Sequence, residues 1–577
     1  MQVLDLAPPL SQATSWRIWA AATTLVVLFS SALVVGSYRY LSHTFDEPTH
    51  LASGMEWLQY HQYTRQTENP PLSRLPLAVV PFLSGMRLAD PNAPGMAGAL
   101  PLFYERGDYI TNVTKARVGN LPLFWLVVLM TWVLSGGRGN PQVASVASCL
   151  VAMLPGIVAH SGLATTDVPF VAAFLFALWR WKALLIAPSR ANAGWLGLSV
   201  GVALATKFST IPFLPPAAAA LLFTFWRAGR LHRNWRSPAV MASCTGIAVL
   251  VAAVTIWASY GFRVGTLGEL PASFGGYGSM PTTGLVAAIQ HVPLPAHEFW
   301  HGLLFLQAHT KAGHMAYMLG QTSTRGFWMY YPVMLLVKTP LMTLLLFVVG
   351  GTLALRSREH PEFSGYALGA VGVLLIATTS PINLGTRHVL AVYPLLCMAG
   401  TYGVARASAR LRNGTTSFWV AAGLVLAFQM TAVAQAFPRQ LSYTNMIASG
   451  RTDYFVSDSD FDWGQDVLAV EDYFRAHPVS ALYLVPYGSA LFCRHDLPPL
   501  TALPVGREVN GWIAVFERPY QLNQGIGAAV AKDICQPPSP TNRNNAPKGW
   551  LDWLHRRKPV AVIGSGVLLF HVTDAGS

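Results

Sequence analysis

Apolar residues run through this sequence in blocks of roughly 20, the length that a bilayer core demands of a helix. Eleven blocks stand out, at 16–37, 118–135, 142–160, 166–182, 193–208, 210–226, 239–260, 329–355, 364–380, 387–404 and 416–436. The pair 193–208 and 210–226 reads as a tight hairpin with Lys207 at its tip. The Pro-rich run from Pro70 to Ser84 is apolar too, but it is short and broken by Arg74, Pro76 and Pro81. We read it as an interfacial or re-entrant piece. The run from Trp16 to Val35 is long enough to span and ends in no convincing small-residue cleavage site, so it is expected to be a span rather than a cleaved signal.

Polar positions test that count. With a cytoplasmic N-terminus, alternate short loops carry Arg138, then Arg180, Lys182 and Arg190, then Arg227, Arg230, Arg233 and Arg236. Arg356 and Arg358 follow, and finally Arg406, Arg410 and Arg412. All fall on one side, as the positive-inside rule requires. The other side receives loops at about 38–117 and 262–328 and everything after Phe437. Between Tyr109 and Thr452 the acids are Asp167, Glu269, Glu298, Glu359 and Glu362, all at or outside span ends. Nothing resembles a mid-membrane proton relay, which weakens a transporter reading.

Composition agrees. Of 577 residues 52% are hydrophobic and 11% charged, with a mean hydropathy of +0.38, too little charge to cover a soluble surface. The formal net charge of +13 is spread over short loops and acts as a topology signal, so nucleic acid is not an expected partner. The expected fold is an α-helical polytopic membrane protein, a transmembrane module over 1–437 and a small α/β domain over 450–577. In that tail Asp466–Ala476 has helical spacing, while Ala481–Pro486, Trp512–Phe516, Val560–Ile563 and Val567–Val572 read as short strands. Cys149, Cys244 and Cys397 lie in apolar runs. Cys493 and Cys535 lie outside them and either pair in an oxidising compartment or stay as buried thiols.

Candidate chemistry collects on the outer side. Asp46 and Glu47 follow the first span directly, and Glu68 precedes the stiff Pro70-Pro71 pair. Carboxylates so placed suit a general base or metal ligands, though adjacent acids outside a span are as often simply solvated. Asp167, in Thr165-Thr166-Asp167-Val168-Pro169, opens the fourth span and also suits a helix cap. Lys207, Lys338 and Arg387-His388 lie at the same depth. One such cation is usually a snorkelling anchor; three opposite carboxylates suit a ligand that is both lipid and phosphate. Asp458, Asp460, Asp462 and Asp466 resemble a calcium loop only superficially, lacking its closing Glu, and the stretch Asp460–Asp466 is expected to cap the following helix.

These motifs, in this order, resemble the GT-C class of membrane glycosyltransferases, and more closely the phospholipid-carrier-dependent protein O-mannosyltransferases and lipid A aminoarabinose transferase. The resemblance rests on Asp46-Glu47, Glu68-Asn69-Pro70-Pro71-Leu72, Thr166-Asp167-Val168-Pro169 and Ala205-Thr206-Lys207. It continues through Tyr330-Tyr331-Pro332, Lys338-Thr339-Pro340, Gly385-Thr386-Arg387-His388 and Asp462-Trp463-Gly464-Gln465-Asp466. It implies a sugar transferred from a polyprenyl-phosphate carrier to a hydroxyl of a lipid, glycan or protein acceptor at the outer face of the inner (cytoplasmic) membrane. Asp46 would be the base, with Glu47, Glu68 and Asp167 as supporting carboxylates. Asp46, Glu68 and Asp167 would be the ligands of any divalent metal. Lys207, Arg387, Lys338 and His388 would face the carrier phosphate. Asn69 stands where the aminoarabinose transferases have a lysine, and His388 where relatives often have an aromatic residue. The rivals are a flippase for a lipid-linked sugar, which would need internal repeats and broken mid-depth helices, and a polysaccharide polymerase or ligase.

Overall fold

A computed structural model describes residues 12–573 except 91, 92, 94, 106, 275, 276, 456, 524–529, 532, 533, 537–542 and 545. Each of the eleven apolar blocks contains helix, but not eleven uniform spans. Among the described residues six helices are long and apolar enough to cross a membrane: Trp16–Ser37, Tyr109–Leu134, Asp167–Ile186, Pro238–Ser259, Pro361–Thr378 and Gly414–Gln435. A seventh crossing exists if Pro141–Ala152 and Pro155–Ser161, bent by 62° at the break between them, count as one. The other blocks hold shorter or interrupted helices. Arg190–Leu204 has 15 residues, Thr210–Arg227 runs unbroken through Pro215 and Pro216, Pro155 opens a new helix after a break at 153–154, and Tyr330–Lys338 stops before Pro340. Proline removes an intrahelical donor and crowds the preceding turn, so it breaks or kinks what hydropathy reads as one run. Prolines also open Pro141–Ala152, Pro238–Ser259 and Pro361–Thr378, where the first N–H groups lack intrahelical partners in any case.

The bundle core is fully buried along Pro141–Ala152 and along much of Asp167–Ile186 and Val392–Ser408. Pro238–Ser259 instead exposes Val249, Leu250 and Val254, as a lipid-facing helix should. Pro70–Ser84 becomes a short turn followed by the helix Leu75–Leu83, whose Leu77 and Ala78 pack against Leu51, Ala52 and Met55 of Glu47–Tyr60.

The tail folds as expected in kind. The strands run Ala561–Ile563, Val567–Val572, Gly511–Phe516, Leu482–Val485, Leu500–Ala502 across one five-stranded sheet. Leu482–Val485 pairs parallel with both neighbours, and the remaining pairs are antiparallel. Val467–Ala476 covers one face with Val467, Val470 and Phe474. Cys493 and Cys535 form a disulfide, with Cα atoms 5.1 Å apart, while Cys149, Cys244 and Cys397 are free and buried.

Backbone hydrogen bonds fasten this domain to the segment after the first span. Ser42 N donates to Gln465 O at 2.9 Å and Phe45 N to Trp463 O at 3.0 Å, while Ser489 Oγ donates to Phe45 O. Within the tail, two glycines let the segments that make these bonds come together. Gly464 (φ +84°) and Gly488 (φ +105°) lie back to back, and a Cβ on Gly464 would sit 2.7 Å from Gly488 Cα.

Candidate functional site

A cavity of about 990 Å³ opens where the bundle meets the tail domain. Its walls come from distant parts of the chain: Phe45, Asp46, Thr49 and His50, then Gln66, Glu68 and Asn69, then Lys207 and Phe208, parts of the stretches 305–315 and 376–388, and Asp458, Trp463, Tyr487 and Arg518 of the tail. Helices that run one way end here and helices that run the other way begin here. The basic loops at Arg138, Arg227 and Arg406 belong to the opposite helix ends.

Five expected residues line this cavity: Asp46, Glu68, Lys207, Arg387 and His388. Asp46 stands just before helix Glu47–Tyr60 and accepts a hydrogen bond from Arg387 Nη1 at 3.0 Å. Burial raises its carboxyl above the ordinary value, against the pull of Arg387. Arg387 lies over the Trp463 ring at 4.2 Å and donates from Nε to Leu384 O, which leaves Nη2 without a partner among the described residues. Its loop depends on Gly385 (φ +95°), where a Cβ would meet Ser459 Oγ at 2.6 Å. Thr386 then donates from N and Oγ1 to Asp460.

Lys207 enters through Asp167, its Nζ 2.5 Å from Asp167 Oδ1. Asp167 itself is fully buried behind the wall, with His160 Nδ1 3.9 Å from its other oxygen. An ammonium has three donors, so this pair fixes Lys207 without exhausting it. Leu72 N donates to Ala205 O at 2.9 Å, which ties the Glu68 segment to the turn that carries Lys207.

Glu47 and Lys338 lie off the cavity, contrary to expectation. Glu47 is fully buried and paired with Arg117 through both oxygens at 2.8 Å. It also accepts from Thr44 N and Ala164 N, both at 2.7 Å. Burial opposes its charge, yet Arg117 and the two N–H groups hold its carboxyl below the usual range. Lys338 donates to the carbonyls of Leu441 and Asp460, both at 2.6 Å, and so pins the tail to the bundle. Asp46, Glu68 and Asp167 also fail to converge as metal ligands: among the described residues no three His, Cys, Asp or Glu side chains are grouped to hold an ion. Arg387 and Lys207 occupy two of these three carboxylates.

The aspartates of the tail disperse as well. Asp458 pairs with Arg518 at 2.7 Å, Asp462 accepts from Gly464 N and Arg518 N, and Asp466 accepts from Ser565 N. Asp466 precedes helix Val467–Ala476, but its side chain caps none of that helix's N–H groups.

Several wall residues carried no signal that we read. His50 accepts from Arg74 Nε at Nδ1, 3.1 Å, and burial beside Arg74 keeps its pKa well below the ordinary value, so the ring is neutral with its proton on Nε2. Arg74 is itself fully buried and spends its other donors on Tyr63 and Gln66. His309 and His314 are both pushed down to about 4 by burial. Arg518 lies in the short helix Glu517–Leu522 that follows strand Gly511–Phe516, where the apolar run turns polar; that switch is the available sign.

A multi-pass helical membrane protein with a polar cavity at one end of its bundle, walled in part by a mixed sheet, is the class these features define. Residues 110–257 match the model of the dolichyl-phosphate-mannose-protein mannosyltransferase family, which bears out the resemblance read from the motifs. No curated protein is similar enough in sequence to count as a match. Among solved structures, ArnT from Cupriavidus metallidurans in the apo state is 14% identical with a TM-score of 0.47, over 97% of this chain and 98% of that one. The same protein bound to undecaprenyl phosphate matches at the same identity and score over 90% and 97%. The Pmt1-Pmt2 protein O-mannosyltransferase complex of S. cerevisiae, bound to the sugar donor, is 15% identical with a TM-score of 0.34, over 45% of this chain and 35% of that one.

Proposed function

We propose that this protein is a glycosyltransferase that moves a sugar from a polyprenyl-phosphate carrier to an acceptor hydroxyl at the outer face of the cytoplasmic membrane. The observation that carries the reading is one cavity that joins two carboxylates, Asp46 and Glu68, to two cations, Lys207 and Arg387, at the ends of apolar helices. The family match over 110–257 supports it from the sequence side. The helix ends bring a lipid headgroup to the height of the cavity. There the unused donors of Lys207 and the Nη2 group of Arg387 face the carrier phosphate. A phosphate leaves as an anion, so cations aimed at it lower the barrier more than a general acid would. The acceptor hydroxyl is a weak nucleophile and needs a carboxylate within hydrogen-bond reach to take its proton. A single displacement at the anomeric carbon inverts the configuration.

In this reading the transmembrane module covers 1–437, the domain over 450–577 lies outside the cytoplasm, and the N-terminus lies inside. Incubation of the purified protein with a panel of polyprenyl-phosphate sugars is expected to release polyprenyl phosphate from one of them. No release from any member, in the presence of membrane extract as acceptor source, overturns the proposal.

A further inference from the structure

We propose that Glu68, rather than Asp46, takes the proton from the acceptor hydroxyl, and that Asp46 acts by positioning Arg387 against the leaving phosphate. This rests on the glycosyltransferase reading and divides its two cavity carboxylates.

The two differ in what already holds them. Asp46 is engaged by Arg387 Nη1 at 3.0 Å, in a pair that also fixes where the guanidinium lies. The guanidinium holds Asp46 Oδ2 and stabilises the charged carboxylate, which makes Asp46 a poorer proton acceptor than a carboxylate without a cationic partner. Glu68 lines the same cavity, and its carboxylate has neither ion pair nor hydrogen bond among the described residues apart from its own N–H. Arg74, the nearest cation by influence, is taken up by His50, Tyr63 and Gln66.

The chain around Glu68 is nevertheless fixed. Thr67 Oγ1 lies 2.7 Å from His301 Nδ1, Tyr63 OH donates to Asn69 O at 2.6 Å, and Leu72 N donates to Ala205 O. Pro70 and Pro71 then remove two backbone degrees of freedom. A rigid backbone thus presents one uncommitted carboxylate to the cavity, which is what a pre-organised base requires. Burial and the Asp46 charge raise the Glu68 carboxyl, with Arg74 opposing, so its basicity lies above that of an exposed glutamate.

The step balances within the site. The acceptor oxygen bonds to the anomeric carbon while its O–H bond breaks and the proton passes to a Glu68 carboxylate oxygen. The bond from the anomeric carbon to the carrier phosphate oxygen breaks, and its electron pair leaves with the phosphate, facing Arg387 and Lys207. Glu68 then returns the proton to water.

Azide separates the two roles, because it attacks carbon without losing a proton. The test uses full-length protein and the donor that wild type turns over fastest, with methanol as the hydroxyl acceptor and sodium azide as the alternative. Glu68→Gln is expected to lose roughly 100-fold or more of methanol-dependent turnover, the usual range for a lost general base, and to recover in azide with formation of the glycosyl azide. Asp46→Asn is expected to lose turnover with both acceptors and to bind a non-hydrolysable donor analogue more weakly. Glu68→Asp is expected to retain partial methanol activity, and unchanged melting curves exclude misfolding. Wild-type methanol turnover in Glu68→Gln overturns the proposal. So does azide rescue of Asp46→Asn alone, or a Glu68→Gln defect that azide leaves in place. Failure of wild type to release carrier phosphate from any donor is a different result and removes the underlying reading.

Discussion

Replacing Glu47 tests whether its place is in the scaffold or in the chemistry. Glu47→Gln keeps the shape of the side chain and removes its charge. The carboxylate accepts four hydrogen bonds, two from Arg117 at 2.8 Å and one each from Thr44 N and Ala164 N at 2.7 Å. A glutamine has one acceptor oxygen, so its amide nitrogen must point at donors on one side or the other. Arg117, fully buried, is left with carbonyl partners at Leu41 and Ser42 but no counter-charge. Breaking one side of a buried pair costs about 3–5 kcal/mol. Thermal unfolding in detergent should therefore fall by several degrees, with the loss of activity following the loss of folded protein and the residual folded fraction turning over normally. Glu47→Gln paired with Arg117→Leu should recover part of the stability, since removing both charges avoids the orphaned cation. A variant that melts like wild type but has lost turnover would refute this reasoning and return Glu47 to the reacting centre.

Four further outcomes are expected. Lys207→Ala and Arg387→Ala should each weaken binding of a non-hydrolysable donor analogue, and unchanged affinity in both would make them membrane anchors. Asp462 is pushed up to about 7 by burial, from 3.8 in the unfolded chain, so its contribution to stability is present below about pH 4 and lost as pH rises through about 7. Melting temperatures across that window should fall with pH, and less steeply in Asp462→Asn. Thiol counting on denatured, unreduced protein should find three free cysteines rather than five, with Cys493→Ser costing the tail domain about 2–4 kcal/mol in chemical unfolding. A reporter active only in the cytoplasm, fused after Ser577, should be silent; a strong signal there would place the cavity on the inner face.

How much was legible follows from the range of the interactions involved. Apolar blocks and basic loops depend on single residues against a bilayer, so helix positions and the grouping of Asp46, Glu68, Lys207 and Arg387 at one level could be read directly. Where a helix breaks inside a block could not, because Pro155 and Pro340 interrupt helices without lowering hydropathy enough to divide the run. Asp46 and Glu47 are neighbours with opposite fates. Which of them faces the cavity is decided by Arg117, 70 positions away, and no local pattern encodes that choice. Lys338 was misplaced for the same reason, since its partners are carbonyls at Leu441 and Asp460 rather than any side chain with a sequence signature. His50 hides more simply, as one imidazole on a short helix, until Arg74 is seen to fix its tautomer.

The seam between residues 42–45 and residues 463–465 joins the beginning of the chain to its end. The N–H groups of Ser42 and Phe45 donate to Gln465 and Trp463, so the loop that carries Asp46 emerges from the ribosome long before these partners exist. A growing chain has helices and a membrane address but no closed chamber. A product cut short before residue 463 lacks these partners and the wall that Trp463, Tyr487 and Arg518 give the cavity, and is expected to be inert however well its spans insert.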